Sequence, residues 1–208
     1  MNHKFNSAYA ICKGDMFLRP VDGPDGILMS TEVFRYDGEQ FVVHDRTQRI
    51  MERSCRHYGE TYAGRKGQAK RIASISNKTP ILLTPIYQTY FFSTHSDRVP
   101  ENCWINMHYV VKLKSMKGSR CKVTFANEQS IILNVSHHSI KHQFLNCIYF
   151  AYLMGRSNQV QTHNPEKPID YSQERFNIFE ALSQYALLEK AKKEMSEKKD
   201  NDSHFLNL

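Results

Sequence analysis

The chain has 208 residues, of which 40% are hydrophobic and 24% are charged. These values suit one globular domain with a tail, and they exclude collagen, a coiled-coil rod and wholesale disorder. No apolar run reaches the roughly 18 residues that span a bilayer, and the N-terminus lacks the apolar core of a signal peptide. The five cysteines are odd in number and widely spaced, which predicts reduced thiols rather than disulfides or a zinc site. We therefore expect a cytoplasmic protein.

The positive charge of the chain is confined to one stretch. Lys and Arg outnumber Asp and Glu by 28 to 21, a net charge of +7. Residues 46–78, here called the basic segment, hold nine basic residues and only the acids Glu52 and Glu60, so they carry the whole excess. Such clustering indicates a polyanion-binding surface. The nine basic residues are Arg46, Arg49, Arg53, Arg56, Arg65, Lys66, Lys70, Arg71 and Lys78.

Residues 8–44 have the pattern of β structure. A strand is predicted near 15–21, and two further strands, at 27–36 and 41–43, flank Asp37-Gly38. An Asp-Gly pair between such runs is a strong hairpin signal.

The basic segment is predicted to begin with a helix over 46–58, capped by Asp45 and ended by Gly59. Spacings of three and four residues place its four arginines on one side of that helix, and the apolar residues fall largely on another. A second helix is predicted over 61–74. We call the first group the arginine face: Arg46, Arg49, Arg53 and Arg56.

The rest of the chain is predicted to be β-rich and then helical. Strands are expected at 81–83 and 87–92, followed by a meander of 103–113, 121–125 and 130–135. A helix begins at Ser136 or His137 and ends near Gly155. No internal repeat is visible in the sequence.

These elements predict an α+β fold, with a β-rich N-terminal and central region, an inserted Arg-rich helix at 46–58 and two C-terminal helices. Residues 1–155 would form the DNA-binding domain. A linker over 156–170 would lead to a C-terminal helix over 171–197, whose apolar side suits self-association, and 198–208 would be a flexible tail.

Arginines on one helical face suit duplex DNA. Guanidinium groups are always charged and weakly hydrated, and the narrow minor groove of A/T-rich DNA concentrates negative potential. We therefore expect the arginine face to contact phosphates or the minor-groove floor. The remaining donors are expected to add backbone contacts: Arg65, Lys66, Lys70, Arg71 and Lys78.

Two alternatives remain open at this point. His138 and His142 have the i, i+4 spacing of helical metal ligands and suggest a metal-dependent nuclease, although no carboxylate lies within the cluster. An RNA-binding regulator is the other alternative. The sequence lacks a phosphate-binding loop and a nucleophile elbow, so we expect no enzyme, no catalytic residue, no metal and no cofactor.

Several motifs, in order along the chain, resemble a known family. The resemblance is good from about residue 44 to 111 and weaker to about 155. It is to the ComK competence transcription factors of Gram-positive bacteria. The motifs lie at 53–67 (RSCRHYGETYAGRKG), 75–81 (ISNKTPI), 90–94 (YFFST) and 102–106 (NCWIN).

The resemblance implies an activator of competence genes for DNA uptake. Family members bind paired A/T-rich boxes, largely through the minor groove, as dimers that pair on the promoter. The implied partners are therefore double-stranded A/T-rich DNA, further copies of the chain as a homo-oligomer, and RNA polymerase, with a nucleoid-associated location. The family is also degraded through a Clp adaptor, but the region after Gly155 departs from the aromatic–Leu–Tyr–Pro pattern of adaptor binding.

Overall fold

The structure is a computed structural model that describes residues 2–3, 9–23 and 30–162, with side chains for 9–23 and 30–155. The predicted α+β class is confirmed. A short 3-10 helix occupies Met107–Tyr109. The other elements are β1 Asn2–His3, β2 Asp15–Val21, β3 Ser30–Arg35, β4 Gln40–Val43, α1 Thr47–His57, α2 Tyr62–Ala73, β5 Ile81–Thr84, β6 Thr89–Ser93, β7 Trp104–Asn106, β8 Val110–Met116, β9 Arg120–Phe125, β10 Ser130–Leu133 and α3 His137–Thr162.

The strands form two sheets. The larger has the order β1-β4-β3-β2-β7-β6-β5 and the smaller the order β10-β9-β8. Every pairing is antiparallel except that of β1 with β4. The hairpin predicted around Asp37-Gly38 is confirmed as β3–β4, and Gly38 has the positive φ of +88° that such a turn requires.

Both faces of the large sheet are buried. Neighbouring residues of its strands point to opposite faces, and each face belongs to a different hydrophobic core. Leu18 lies in the core beneath α1, whereas Phe17 lies in the core beneath α3 and the small sheet. Phe91 and Phe92 divide in the same way. This explains strand sequences that are apolar at consecutive positions rather than alternately.

Helix α2 contacts both α1 and the edge strand β5. Its first residue, Tyr62, packs against the α1 core, whereas Ala69 and Ala73 lie in the α3 core. The helix therefore crosses the β5 edge of the sheet and shields backbone groups that would otherwise be open to pairing.

The single strand predicted over 103–113 is wrong. The 3-10 helix divides it into β7, which belongs to the large sheet, and β8, which belongs to the small one. Asn106 makes the break: its side chain accepts from the His108 amide at 3.2 Å and donates to the Asp15 carbonyl at 3.0 Å. Because Asp15 is distant in sequence, local periodicity gives no sign of this contact.

Helix α3 does not end near Gly155, as predicted, but continues to Thr162. An isolated glycine is tolerated within a helix when the remaining turns are sound. The first part of the predicted linker 156–170 is therefore helical. The second C-terminal helix over 171–197 and the tail over 198–208 lie outside the described residues, and the domain division stays a prediction.

The structure also contains a repeat that the sequence does not reveal. The units β2-β3-β4-α1 and β8-β9-β10-α3 have the same element order and the same strand order within their sheets. Residues of the last two strands and the helix carry numbers 90 higher in the second unit, as in Val33 and Val123. We call these the first and second units.

The two units share detailed backbone geometry. The β3–β4 turn closes with a bond from the Arg35 amide to the Glu39 carbonyl at 3.0 Å, and the β9–β10 turn with one from Phe125 to Gln129 at 2.8 Å. Ile50 and its counterpart Ile140 are both fully buried. Almost all other paired residues differ, which is why the sequence alone shows no repeat.

None of the helices in residues 30–162 combines the length and the hydrophobicity that a membrane span requires.

We predict that Ile50→Ala destabilises the fold and that Arg49→Ala does not. Ile50 is fully buried and its truncation should cost about 2–5 kcal/mol, whereas Arg49 is exposed and its replacement should change the free energy of unfolding by about 0.5 kcal/mol or less. Urea denaturation of both variants measures this. Equal losses would contradict the orientation of α1.

We also predict that the native protein reacts with a thiol reagent at one cysteine only. All five cysteines are free, as expected, but Cys12 is exposed while Cys55, Cys103, Cys121 and Cys147 are buried. Burial raises the pKa of Cys55 and of Cys103 to about 11, and burial and Asp15 also raise the pKa of Cys12, so it is access to the reagent that distinguishes Cys12. Titration with an aromatic disulfide should show one rapid thiol, lost in Cys12→Ser; two rapid thiols would contradict the packing.

Candidate nucleic-acid interface

Helix α1 turns its arginines outward because its opposite side fills a core. The predicted helix over 46–58 is confirmed as α1, Thr47–His57. Ile50, Met51 and Cys55 are fully buried beneath it. Arg49 and its neighbours therefore lie on the solvent side, where Arg46, Arg49 and Arg56 are exposed and Arg53 is half-buried.

The predicted capping of α1 by Asp45 is wrong. Arg46 occupies the capping position, and no side chain caps the helix. The Asp45 carboxylate instead accepts from the Arg46 backbone amide at 2.8 Å and pairs with Arg53. The strand–helix junction is held by Thr31, whose hydroxyl donates to the Asp45 carbonyl at 2.8 Å and lies 3.0 Å from that of Thr47.

Arg53 is the member of the arginine face that is already engaged. It forms an ion pair with Asp45, and its Nη1 donates to the Tyr9 carbonyl at 3.2 Å. The Asp45 side chain is only 11% exposed, so this pair is more shielded from water than a surface ion pair. Arg53 thus fastens the segment around Tyr9 to α1.

The corner between α1 and α2 is built from Gly59 and Arg65. Gly59 has a φ of +84°, as expected for the predicted helix end. Arg65 is buried, with 6% exposure, and its Nη2 donates to the carbonyl of Tyr58 at 3.3 Å. Its side chain therefore supports the corner and does not face solvent as the sequence led us to expect.

The second predicted helix, over 61–74, is confirmed as α2. Thr61 caps it by accepting from the Gly64 amide at 3.0 Å, and Ser74 ends it in the left-handed region. Lys70 and Arg71 are exposed on its outer side. Lys66 is not available in the same way, because its ammonium group lies 2.7 Å from the Asp97 carboxylate.

Lys78, the last cation of the basic segment, is also engaged. Its ammonium group donates to the Thr94 carbonyl at 3.1 Å and to the Ser139 hydroxyl at 3.3 Å. These bonds tie the connection between α2 and β5 to the start of α3.

The nine predicted binding residues thus divide into two groups. Four are engaged within the fold: Arg53, Arg65, Lys66 and Lys78. Five are exposed and, within the described part of the chain, have no ion pair: Arg46, Arg49, Arg56, Lys70 and Arg71. We call these five the exposed cations; they lie on two helices that contact each other.

The two acids of the basic segment do not neutralise the exposed cations. Glu52 accepts from the side chain of Gln48 at 3.0 Å. Glu60 accepts from the Thr61 amide at 2.7 Å, and the bonds to Thr61 lower its pKa. Among the described residues, neither acid forms an ion pair with an exposed cation, so these five charges are available to an anion from outside.

The histidines of the nuclease alternative, His138 and His142, are exposed on α3. Over the ranges that the structure describes, no three His, Cys, Asp or Glu residues are grouped so as to hold a metal ion. The geometry of these ranges adds no support to the nuclease hypothesis.

Comparison with known proteins gives a family match that includes both helices of this interface. The family model described as ComK protein matches residues 6–159. The chain belongs to the ComK family. The match covers α1, α2, the first unit and the second unit as far as residue 159, and it includes the five exposed cations defined above.

One curated relative of this ComK family member is the "Competence transcription factor" of Bacillus subtilis (strain 168). It is 35% identical over 103 residues, which are 50% of this chain and 54% of the relative. The chain thus aligns with about half the length of the curated relative that it matches. No solved structure matches the chain.

Sequence reasoning missed the acids that engage two of the predicted cations. Asp45 immediately precedes the basic segment, and its position four residues from Arg49 and eight from Arg53 was a signal that could have been used. Asp97 lies far along the chain from Lys66, and only the fold brings them together.

We predict that Asp97→Asn destabilises the protein at neutral pH and less so in acid. Partial burial alone would raise the pKa of Asp97, but the hydrogen bond and charge of Lys66 outweigh it and hold the pKa below its usual range. A lowered pKa contributes stability above the unfolded pKa of about 3.9, and this is lost as the pH falls through the folded value.

The loss at pH 7 should be about 0.5–1 kcal/mol, the size of a partly exposed ion pair. Urea denaturation of the wild type and Asp97→Asn between pH 7 and 3.5 measures it. If the difference in free energy of unfolding between the two proteins does not narrow below about pH 4, the result would contradict the pairing of Lys66 with Asp97.

Proposed function

We propose that this ComK family member is a non-enzymatic, DNA-binding transcription activator of competence genes. It recognises A/T-rich promoter boxes through the minor groove as a homo-oligomer, a dimer or a pair of dimers. The observation that carries the proposal is the group of five exposed cations on α1 and α2, without ion pairs among the described residues, in a chain of this family. The name of the Bacillus subtilis relative agrees with it.

The exposed cations suit a duplex better than a small anion. Arg49 and Arg56 lie along one side of α1, and Arg46 continues this row at the N-cap. The 11 residues of α1 span about 16 Å at 1.5 Å per residue. That length is several phosphate spacings along a DNA strand. Guanidinium groups in such a row can also enter a narrow groove, whereas Lys70 and Arg71 on α2 would contact the flanking backbone.

The proposal gives the engaged cations a supporting role. Arg53, Arg65, Lys66 and Lys78 bind neighbouring parts of the fold, and DNA affinity should depend on them through the position of the helices. The proposal also includes RNA polymerase as a partner and a cytoplasmic, nucleoid-associated location. Turnover through a Clp adaptor is not part of it, because the region after Gly155 departs from the adaptor-binding pattern.

We predict that Arg49→Ala with Arg56→Ala weakens binding to A/T-box DNA and flattens its salt dependence. Both arginines are exposed and unpaired within the described ranges, so the fold should be unaffected. Each lost phosphate contact should make the negative slope of log K against log salt shallower by about 0.9. Fluorescence anisotropy with a two-box duplex and a G/C-rich duplex of equal length measures both quantities.

The matched control is Arg49→Lys with Arg56→Lys, which keeps the charge but removes the planar fork. If the arginines enter the minor groove, this variant should keep the salt slope and lose preference for A/T-rich DNA. An alanine variant with wild-type affinity and slope would contradict the proposal. Equal wild-type affinity for both duplexes would leave only non-specific binding.

The two remaining hypotheses give different results in the same assays. An RNA-binding regulator would bind structured RNA in preference to the duplex. A metal-dependent nuclease would cleave labelled DNA when divalent ions are added and would lose that activity in His142→Ala.

A further inference from the structure

A second group of cations lies on the small sheet. Residues 110–135 contain five basic residues and a single acid, Glu128. In the chain's total charge this excess is hidden, because acids elsewhere balance it. Four of the five lie on β8 and β9, and their positions in the sheet decide what they can do: Lys112, Lys114, Arg120 and Lys122.

Strand register places these four residues on one face. Lys112 pairs with Thr124, Lys114 with Lys122, and Met116 with Arg120, and directly paired residues share a face of a sheet. The intervening residues Leu113, Val123 and Ile131 pack in or against the α3 core, so they occupy the opposite face. We call the outer side the lysine face.

The lysine face is open to solvent. Lys112, Lys114 and Arg120 are exposed, and Lys122 is half-buried. None of these four forms an ion pair with any described residue. The hydroxyls of Thr124 and Ser130, 3.1 Å apart, lie on the same face and add neutral donors.

The pairing of Lys114 with Lys122 is unfavourable for the isolated protein. Like charges directly opposite each other in adjacent strands destabilise a sheet by a few tenths of a kcal/mol to about 1 kcal/mol. No acid of the described residues relieves this repulsion. A local arrangement that opposes stability points to a ligand that supplies the missing negative charge.

The equivalent face of the first unit has a different composition and is covered. The counterparts of Lys122 and Thr124 in the first unit are Glu32 and Phe34. Glu32 is 6% exposed and pairs with Arg19, and Phe34 is 8% exposed in the α3 core. The face that is covered in the first unit is therefore uncovered in the second, where it is cationic.

The helices of the two units also differ in charge, but here the cations belong to the first unit. The α3 counterparts of the arginine face are all uncharged: Ser136, Ser139, Gln143 and Asn146. Thus the first unit carries its cations on the helix, and the second unit carries them on the sheet.

We propose that the lysine face is a second DNA-backbone site, which holds a stretch of duplex other than the one on α1. This rests on the proposed function for its choice of polyanion. The arginine face lies outside the α1 core and the lysine face outside the α3 core, so the two surfaces are separated by both cores and the large sheet. A second copy of the chain is a poorer occupant, because face-to-face contact would bring lysine against lysine.

We predict that Lys114→Gln with Lys122→Gln leaves the fold intact and weakens DNA binding. Removing the like-charge pair should leave the free energy of unfolding equal to or above that of the wild type, which separates a loss of binding from a loss of stability. For a duplex that carries two A/T boxes, the slope of log K against log salt should become less negative by about 1.8, or about 0.9 for each lysine. Lys114→Arg with Lys122→Arg, which keeps the charge, should bind like the wild type.

A capture assay tests whether the second stretch can be a separate molecule. Wild-type protein on an immobilised two-box duplex should retain a labelled duplex, and the glutamine variant should retain much less of it. If the wild type does not capture labelled DNA, but the glutamine variant still has a shallower slope of log K against log salt, the lysine face contacts a flanking stretch of the same duplex. Unchanged slope and capture in the glutamine variant would overturn the inference.

The failure of this inference is distinguishable from the failure of the proposed function. The double alanine variant of Arg49 and Arg56 tests the α1 surface alone, and the glutamine variant of Lys114 and Lys122 tests the small sheet alone. If only the glutamine variant behaves like the wild type, the α1 proposal stands and the lysine face is a solvated surface.

Discussion

The large sheet has apolar side chains on both faces, and the need to cover both is the constraint on which the rest of the structure depends. Phe17 and Leu18 are neighbours in β2, yet each is fully buried in a different core. Burying a large apolar side chain contributes about 1.5–3 kcal/mol, so an uncovered face would cost the fold many such contributions. Helix α1 covers one face and α3 with the small sheet covers the other.

This constraint also determines the charge distribution. Because α1 must direct Ile50 and Met51 into the sheet, helical periodicity directs Arg49 and Arg56 away from it. The outward position of these arginines is therefore determined by the packing of the opposite side of α1 and not by contacts that the arginines make themselves. Arg53 and Lys66 show the other use of a basic residue, since each is paired with an acid and joins segments of the chain. Net charge alone does not separate these two uses.

The sequence predicted the elements whose signals are local. Gly59 and Thr61 mark the corner between α1 and α2, and Asp37-Gly38 marks the first hairpin; all three are found where expected. What could not be predicted depends on contacts between distant residues. The break between β7 and β8 depends on Asn106 reaching Asp15, and the engagement of Lys66 depends on Asp97. Periodicity within a window of residues carries no information about such contacts.

The repeated unit has a consequence for the origin of the chain. Duplication and fusion of one β-β-β-α ancestor would leave two copies that share backbone geometry and buried positions, such as Ile50 and Ile140, while their outer residues diverge. The first unit lies within the large sheet, where both faces of its strands are buried, whereas the second unit forms a separate small sheet that buries only one face. The same order of strands and helix thus leaves a sheet face covered at one place in the chain and open to solvent at the other.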